Sequence, residues 1–308
     1  MHHALLLDRW SARLALGIFS AAALALVFTL SAQAMDILSP AERAWLTAHP
    51  QIRLAPEKNY PPFVFTDALG TAQGLSIDYI RKVENQLGIR FQFLPAAPLS
   101  HILPALQHGA ADLHPALRET PERAAYLNFT RPYARIHTVL VTRIAATPEA
   151  QLANLHGQKV AVGDGYAVQP YLAEHFPELV LTPFADDERC LEKVRTGEVA
   201  AAVVDIASAL WFIRQHQWSD LRIGADVGFT YDLRLASRRD LPELNVILDK
   251  ALASIPAEEH EALLNRWVKA TESTSVPDFP WTWAIPLALT IALLVGAGLL
   301  FHRRRPSP

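Results

Sequence analysis

Short apolar runs alternate with segments of helical periodicity between residues 50 and 268. In the segment from Leu75 to Leu87, apolar residues recur at near-helical spacing and Gly88 follows as a stop signal, which predicts a helix. An uninterrupted apolar run such as 201–204 instead predicts a buried strand. The predicted strands are 52–55, 91–94, 112–114, 138–141, 159–162, 180–182 and 201–204, and the predicted helices are 75–87, a segment around Ile102 and Leu106 that ends at Gly109, 168–175, 186–196, 205–213, 242–254 and 258–268.

The order of these elements predicts the fold class. Strands that alternate with helices favour an α/β architecture with parallel sheets. Two successive series of this kind, separated near residue 141, favour two lobes rather than one long sheet. The sequence has no internal repeat of a fixed short period.

An uncharged segment near the N-terminus, Leu14 to Leu30, is preceded by Arg9 and Arg13. Ala32 and Ala34 follow it and place small residues where signal peptidase needs them, so the whole pattern is typical of a secretory signal peptide covering 1–34. An uncleaved anchor is the alternative. Both interpretations predict that the rest of the chain is exported.

A second uncharged segment, 281–301, has 21 residues. As a helix rising about 1.5 Å per residue, it would span the hydrocarbon core of a bilayer, about 30 Å thick. Trp281 and Trp283 lie at its front edge, and His302 and three arginines follow it, so the tail 302–308 is expected in the cytoplasm. A buried core helix is the alternative, which the adjacent arginines disfavour. We therefore predict a periplasmic domain joined by the linker 271–280 to one transmembrane helix in the inner membrane.

Composition excludes several classes of protein. A hydrophobic content of 51% with 19% charged residues excludes global disorder, and a net charge of −3 argues against nucleic-acid binding. Residues 36–280 contain 23 of the 28 basic and 30 of the 31 acidic residues, so the exported part carries −7. One cysteine, Cys190, permits no intramolecular disulfide and, with two methionines, no thiolate metal cluster. The sequence indicates no cofactor and no metal.

Candidate chemistry begins at the loop after the first predicted strand. Two prolines stiffen this loop between Tyr60 and Phe63, which presents both rings at the carboxyl end of a strand, where ligands bind in open α/β sheets. A proline-capped turn with core aromatics is the alternative.

A second candidate is the motif 120–123. Thr120 is a good helix N-cap and Pro121 fits the first helical position, so Arg123 is expected in the first turn of a helix. A guanidinium there can bind a carboxylate through two hydrogen bonds. A surface salt bridge is the alternative.

Two further candidates lie in the second series of elements. The turn around Gly165 and Tyr166 could offer backbone N–H groups to an anion, although its glycine pattern is not that of a nucleotide-binding motif. Asp205 ends an apolar strand, and its carboxylate is either the N-cap of the next helix or an acceptor for a ligand ammonium group.

Several motifs in this order resemble the family 3 bacterial extracellular solute-binding proteins, and among them the Venus-flytrap sensor domains of BvgS/EvgS-type receptors. The resemblance covers residues 38–268. The motifs that carry it are Leu38 to Leu46 with His49-Pro50, Tyr60-Pro61-Pro62-Phe63, Gly74 to Tyr79, Thr120 to Arg123, Phe129 to Tyr133, Gly157 to Val162 and Val204-Asp205.

The resemblance implies a solute-binding domain over 35–270, with two α/β lobes that enclose a ligand. Lobe 1 would comprise about 50–135 and 232–268 and lobe 2 about 136–230, with crossovers near 135–141 and 224–235. In amino-acid-binding members, the residues matching Arg123 and Asp205 hold the α-carboxylate and α-ammonium, and the one matching Tyr60 packs on the side chain.

Two positions depart from the family pattern. Many members have a hydroxyl where this chain has Arg118, and another where it has Ala167. Contacts from lobe 2 would then come from backbone N–H groups around Gly165 and Tyr166. Arg118 could favour a second acidic group on the ligand, or simply point to solvent.

The predicted function is a membrane-tethered periplasmic binding or sensor protein, without catalysis, that closes on an amino acid or related carboxylate. A separate signalling protein or a permease is the expected partner. One alternative is an enzyme on the same fold, resembling cyclohexadienyl or arogenate dehydratases, for which Glu57 and Asp164 lie near the candidate loops. A structural module that has lost its ligand is another.

Overall fold

The structure, a computed structural model, describes residues 37–146 and 151–269. The predicted signal peptide (1–34), linker (271–280), transmembrane helix (281–301) and tail (302–308) lie outside the described residues. Within the two described stretches, no helix combines the length and apolar character that crossing a membrane requires.

Helices and strands alternate through most of the described chain. The helices are α1 (Pro40–Ala48), α2 (Leu75–Leu87), α3 (Leu99–Gln107), α4 (Pro121–Ala124), α5 (Val168–His175), α6 (Asp187–Thr196), α7 (Ile206–Gln215), α8 (Pro242–Ala253) and α9 (Ala257–Leu264), followed by a π-helical turn (Asn265–Lys269). The strands are β1 (Arg53–Leu54), β2 (Asn59–Tyr60), β3 (Val64–Thr66), β4 (Ala72–Gln73), β5 (Gln92–Phe93), β6 (Leu113–Arg118), β7 (Leu127–Phe129), β8 (Ala134–Arg143), β9 (Lys159–Gly163), β10 (Val180–Phe184), β11 (Ala201–Asp205) and β12 (Leu221–Arg238).

The main sheet has nine strands, in the order β10-β9-β11-β8-β12-β6-β1-β5, with β7 paired to β12. At one end β1 pairs in parallel with β5 and β6, and at the other β9 pairs in parallel with β10 and β11. The long strands β8 and β12 are antiparallel to each other and to the strands beside them. A separate three-stranded sheet contains β2, β3 and β4.

The strands β8 and β12 divide the molecule into two lobes. Lobe 1 contains β1 to β7 with α1 to α4, α8 and α9, and lobe 2 contains β9 to β11 with α5 to α7. The predicted two-lobed α/β architecture is therefore confirmed. The expectation of parallel sheets in place of one long sheet is wrong, because the antiparallel crossover strands β8 and β12 join the strands of both lobes in one mixed sheet.

Local sequence signals fix the helix starts that face the other lobe. The side chains of Thr120, Asp186 and Asp205 accept hydrogen bonds from backbone N–H groups in the first turns of α4, α6 and α7. Each of these helices follows a strand of its own lobe, so the caps lie at the carboxyl ends of the strands. The single thiol, Cys190, is fully buried in the core of lobe 2 and unpaired.

Candidate ligand-binding site between the lobes

The carboxyl ends of the strands in the two lobes face each other. From lobe 1 they bring Glu57 after β1, Tyr60 on β2 and Arg123 after β6. From lobe 2 they bring the turn 163–166 after β9 and Asp205 at the end of β11. Ligands of open α/β sheets bind at strand carboxyl ends, so this is the candidate ligand-binding site.

Arg123 is a buried cation that bridges the lobes. Its guanidinium donates to the carbonyl oxygens of Arg118 (2.7 Å) and of Gly165 in lobe 2 (2.7 Å), and the residue is only 4% exposed. Among the described residues no carboxylate oxygen lies within 4.0 Å of it. Burial lowers the pKa of Arg123, but arginine stays protonated in proteins, so a full charge faces only neutral acceptors.

Glu57 forms the second polar bridge. The Tyr166 hydroxyl of lobe 2 donates to Glu57 Oε1 at 2.6 Å. Burial raises the pKa of Glu57 from 4.5 to about 8; nearby Asp186 and Asp205 add to this rise, while the Tyr166 hydrogen bond and Arg123 oppose it. Near pH 7 this side chain is therefore mostly a neutral carboxylic acid.

Asp205 is the N-cap of α7, one of the two roles considered from the sequence. Its Oδ1 accepts from the Ser208 backbone N–H at 2.8 Å, and its Oδ2 makes no hydrogen bond to any described residue. Burial raises the pKa of Asp205 to about 6. The Tyr60 hydroxyl lies close enough to lower that pKa, although its geometry falls short of a hydrogen bond.

Asp187, in the first turn of α6, was not predicted from the sequence. It is 1% exposed, and neither of its carboxylate oxygens makes a hydrogen bond within the described part of the chain. Burial, followed by the neighbouring Asp205 and Glu57, raises the pKa of Asp187 well above its usual range. The Ser208 hydroxyl is near but donates instead to the Pro61 carbonyl oxygen (2.6 Å), a further contact between the lobes. The sequence signal that could have identified Asp187 is the pair of adjacent acidic residues, Asp186 and Asp187, that follows the strand β10.

A small inner cavity and a larger outer chamber meet at Arg123 and Tyr166. The inner cavity, also lined by Glu57 and Tyr60, has a volume of about 10 Å³, which is the room of about one water molecule. The outer chamber has a volume of about 340 Å³ and opens at the mouth of the cleft. Asp205 lines neither space.

Phe63, Arg118 and Asp164 are the other residues that sequence analysis considered for the site. Phe63 is fully buried and packs against Tyr60, with ring centroids 4.9 Å apart, so it supports the site without lining it. The guanidinium of Arg118 donates to the carbonyl oxygen of Thr230 and lies 4.4 Å from the Phe229 ring centroid, so it is bound to the crossover strand β12. Arg118 also lines the inner cavity beside Arg123. Its role in binding a second acidic group of the ligand stays a prediction. Asp164 lines neither cavity.

Two α/β lobes, two crossover strands and a buried arginine between the lobes define a Venus-flytrap binding domain. The family model of the bacterial extracellular solute-binding proteins, family 3, matches residues 52–270, and the chain belongs to this family.

Two proteins and one crystal structure show which members of this family the chain is similar to. The chain is 27% identical over 275 residues to the virulence sensor protein BvgS of Bordetella pertussis, which covers 88% of this chain and 22% of BvgS. The crystal structure of the BvgS periplasmic VFT2 domain superposes with a TM-score of 0.68 at 26% identity, over 74% of this chain and 98% of that domain. A putative ABC transporter arginine-binding protein of Escherichia coli is 25% identical over 227 residues, 72% of this chain and 92% of that protein. The chain spans about a fifth of the length of BvgS, so the similarity concerns one domain of that sensor.

Proposed function

We propose that this protein is a membrane-tethered periplasmic binding or sensor protein that closes on a small carboxylate, an amino acid or a related compound. The observation that carries the proposal is Arg123, a buried cation at the contact of two lobes whose guanidinium partners among residues 37–146 and 151–269 are carbonyl oxygens. A ligand carboxylate would supply the missing negative charge through charge-assisted hydrogen bonds.

The positions of Arg123 and Glu57 explain why the two lobes would close around a ligand. When the lobes separate, Arg123 loses the Gly165 carbonyl and Glu57 loses the Tyr166 hydroxyl. A carboxylate that enters the open cleft meets an unpaired guanidinium on lobe 1. Lobe 2 then closes over it, because the ligand contacts both lobes only in the closed form. The expected role of Asp205, to hold an α-ammonium group, requires Tyr60 to move aside.

The location rests on sequence signals outside the described residues. The segment 1–34 directs export, and 281–301 anchors the domain in the inner membrane with its C-terminus in the cytoplasm. Similarity to a domain of BvgS supports a sensor role with a signalling partner, and similarity to an arginine-binding ABC transporter protein supports a role with a permease.

The test is a thermal-shift screen of the purified chain in mild detergent against amino acids and small monocarboxylates. A ligand that binds the native state raises the melting temperature, and Arg123→Ala should strongly reduce that rise. Arg131→Ala is the matched control, because Arg131 belongs to the same region but pairs with Asp249 at the surface. A rise that is undiminished in Arg123→Ala would contradict the proposal.

Glu57 supports a second candidate function. A buried carboxylic acid that stays neutral near pH 7 is suited to general acid catalysis, which a dehydratase requires. The decisive assay measures turnover of prephenate and arogenate by the chain and by Glu57→Gln. Turnover that the variant lacks would favour the enzyme, and absence of turnover in both would favour the binding protein.

A further inference from the structure

A space of about 560 Å³ between Asn59 of lobe 1 and Trp211 of lobe 2 does not reach Arg123. The outer chamber is the space at the cleft that is lined by Arg123 and has room for a ligand. Its volume of about 340 Å³ lies within the range of about 300–1,000 Å³ that is usual for small-molecule pockets. The inner cavity holds only about 10 Å³, and the buried side chains of Glu57, Tyr60 and Tyr166 form part of its wall.

Arg123 contributes to the wall of this chamber with hydrogen-bonding capacity to spare. A guanidinium has five N–H donors, and the described residues accept two of them. The adjoining Gln169 accepts from the Gly165 N–H at 3.3 Å through its carbonyl oxygen, which leaves its amide N–H groups directed elsewhere. The chamber therefore presents a buried cation with unused N–H donors, and Gln169 lines the chamber beside it.

The rest of the chamber wall limits what can accompany a carboxylate. Leu103, Pro170, Ala173 and Leu181 supply an apolar surface. The one acidic side chain in the wall, Glu122, is solvent-exposed and would repel a second carboxylate. An ammonium group would gain little from Glu122, since exposed ion pairs contribute little.

Asp205 is separated from the chamber. Tyr60 and Tyr166 line the inner cavity, their ring centroids lie 5.7 Å apart, and Asp205 contacts neither space. A ligand whose carboxylate binds Arg123 in the chamber therefore cannot place an ammonium group on Asp205 while the lobes are closed.

We propose that the outer chamber is the ligand site of the closed form. It takes a small monocarboxylate with an apolar body, for which an ammonium group is not required. This inference rests on the proposed function, since it assumes that a small ligand is bound. The carboxylate binds Arg123, the body packs on Leu103 and Pro170, and Asp205 serves as a helix cap.

The experiment compares two matched ligand pairs by isothermal titration calorimetry on the full chain in detergent. The pairs are 4-methylpentanoate with leucine and 3-phenylpropanoate with phenylalanine, whose members differ only in the ammonium group. Ala173→Trp fills the chamber from an exposed position of α5, and Glu174→Trp places the same ring beside it on the same helix, outside the chamber. Asp205→Asn removes the charge and keeps a capping side chain.

The expected result is that each monocarboxylate binds as tightly as its amino acid or more tightly. Ala173→Trp should weaken binding about tenfold or more, whereas Glu174→Trp and Asp205→Asn change it by less than about threefold. If Asp205→Asn lost binding and Ala173→Trp kept it, the chamber would not be the ligand site. The same conclusion would follow if the amino acids bound and the monocarboxylates did not. Both results would leave the proposed function standing. Binding of neither member of either pair would overturn both proposals. Melting temperatures without ligand identify any variant that fails to fold.

Discussion

Glu57 and Arg123 are two buried ionisable residues at the contact of the lobes. One is a buried acid that is neutral near pH 7, and the other is a buried cation with neutral acceptors. Each costs free energy to bury, and each is bridged to lobe 2 by one hydrogen bond. The two residues therefore make the closed form sensitive to pH and to anions.

Replacement of Glu57 by Gln should change the pH dependence of stability. A pKa that rises from 4.5 to about 8 on folding means that the folded chain holds a proton that the unfolded chain releases between these values. Stability from Glu57 is thus complete below about pH 4.5 and declines as pH rises towards 8, by at most about 1.4 kcal/mol per pH unit.

The measurement is the melting temperature of wild type and Glu57→Gln from pH 5 to pH 8.5. Asp186, Asp187 and Asp205 also have raised pKa values and act in the same direction, so the difference between the two proteins isolates Glu57. The gap should widen in favour of the variant as pH rises. Parallel curves would contradict the assigned protonation of Glu57.

Replacement of Arg123 by Ala should weaken carboxylate binding about 10- to 100-fold, because hydrogen bonds to charged groups contribute about 1.5–3 kcal/mol. The change also leaves the carbonyls of Arg118 and Gly165 without this donor. Calorimetric titration of wild type, Arg123→Ala and the surface control Arg131→Ala measures the effect. Equal affinities in all three proteins would remove Arg123 from the site.

At the scale of elements, the hairpin β3–β4 and the start of α2 hold the loop that carries Tyr60. Gly74 precedes α2 at φ +119°, and an added Cβ would lie 2.3 Å from the Phe63 carbonyl oxygen. The nearby Gly70 has φ +79°, but a Cβ there would meet no atom of the described part of the chain within 4 Å. Glycine is thus required at position 74 by both packing and backbone conformation, and at position 70 by backbone conformation alone.

Gly74→Ala should therefore destabilise the protein by about 2 kcal/mol or more, since it combines overpacking with an unfavourable backbone conformation. Gly70→Ala should cost about 1 kcal/mol. Urea unfolding of the two variants and wild type provides the comparison. Equal destabilisation by the two substitutions would show that close packing of Gly74 on Phe63 is not important.

Sequence patterns predicted those elements whose signals are local. Helices 75–87 and 168–175 have the predicted bounds, because apolar periodicity and neighbouring glycine or proline residues define them. The strands β2, β3 and β4 were not predicted, since two or three residues carry too little periodicity. The predicted helix 258–268 is interrupted, because the chain changes from α9 to a π-helical turn at Asn265.

The features of the candidate site that sequence analysis did not predict depend on contacts between residues that are far apart in the chain. The predicted motifs bring Tyr60, Arg118, Arg123 and Tyr166 to one small cavity, whereas Phe63 and Asp205 do not line it. Nothing in the neighbourhood of Arg118 in the sequence indicates that Thr230, far along the chain, accepts its hydrogen bond. The raised pKa of Glu57 likewise depends on groups from the other lobe.

For the whole molecule, the crossover strands β8 and β12 are the continuous connection between the lobes. Their ladder has register shifts between Ile223 and Asp226 and between Asp226 and Thr230, so the pairing is irregular where lobe 2 gives way to lobe 1. Beyond this ladder the described lobes meet through side-chain contacts, both polar, such as that of Ser208 with Pro61, and aromatic, such as that of Trp211 with Phe65. Such an arrangement suits a hinge that opens and closes as a unit.

The most direct test of a clamp that closes through Arg123 is the distance between spin labels on the two lobes. Gln107→Cys on α3 and Glu174→Cys on α5 are exposed positions, and the buried Cys190 is protected from labelling. In wild type, leucine or 4-methylpentanoate should increase the population at the shorter distance; in Arg123→Ala, the longer distance should dominate and the ligands should have no effect. One unchanged distance distribution in both proteins, with and without ligand, would contradict the account.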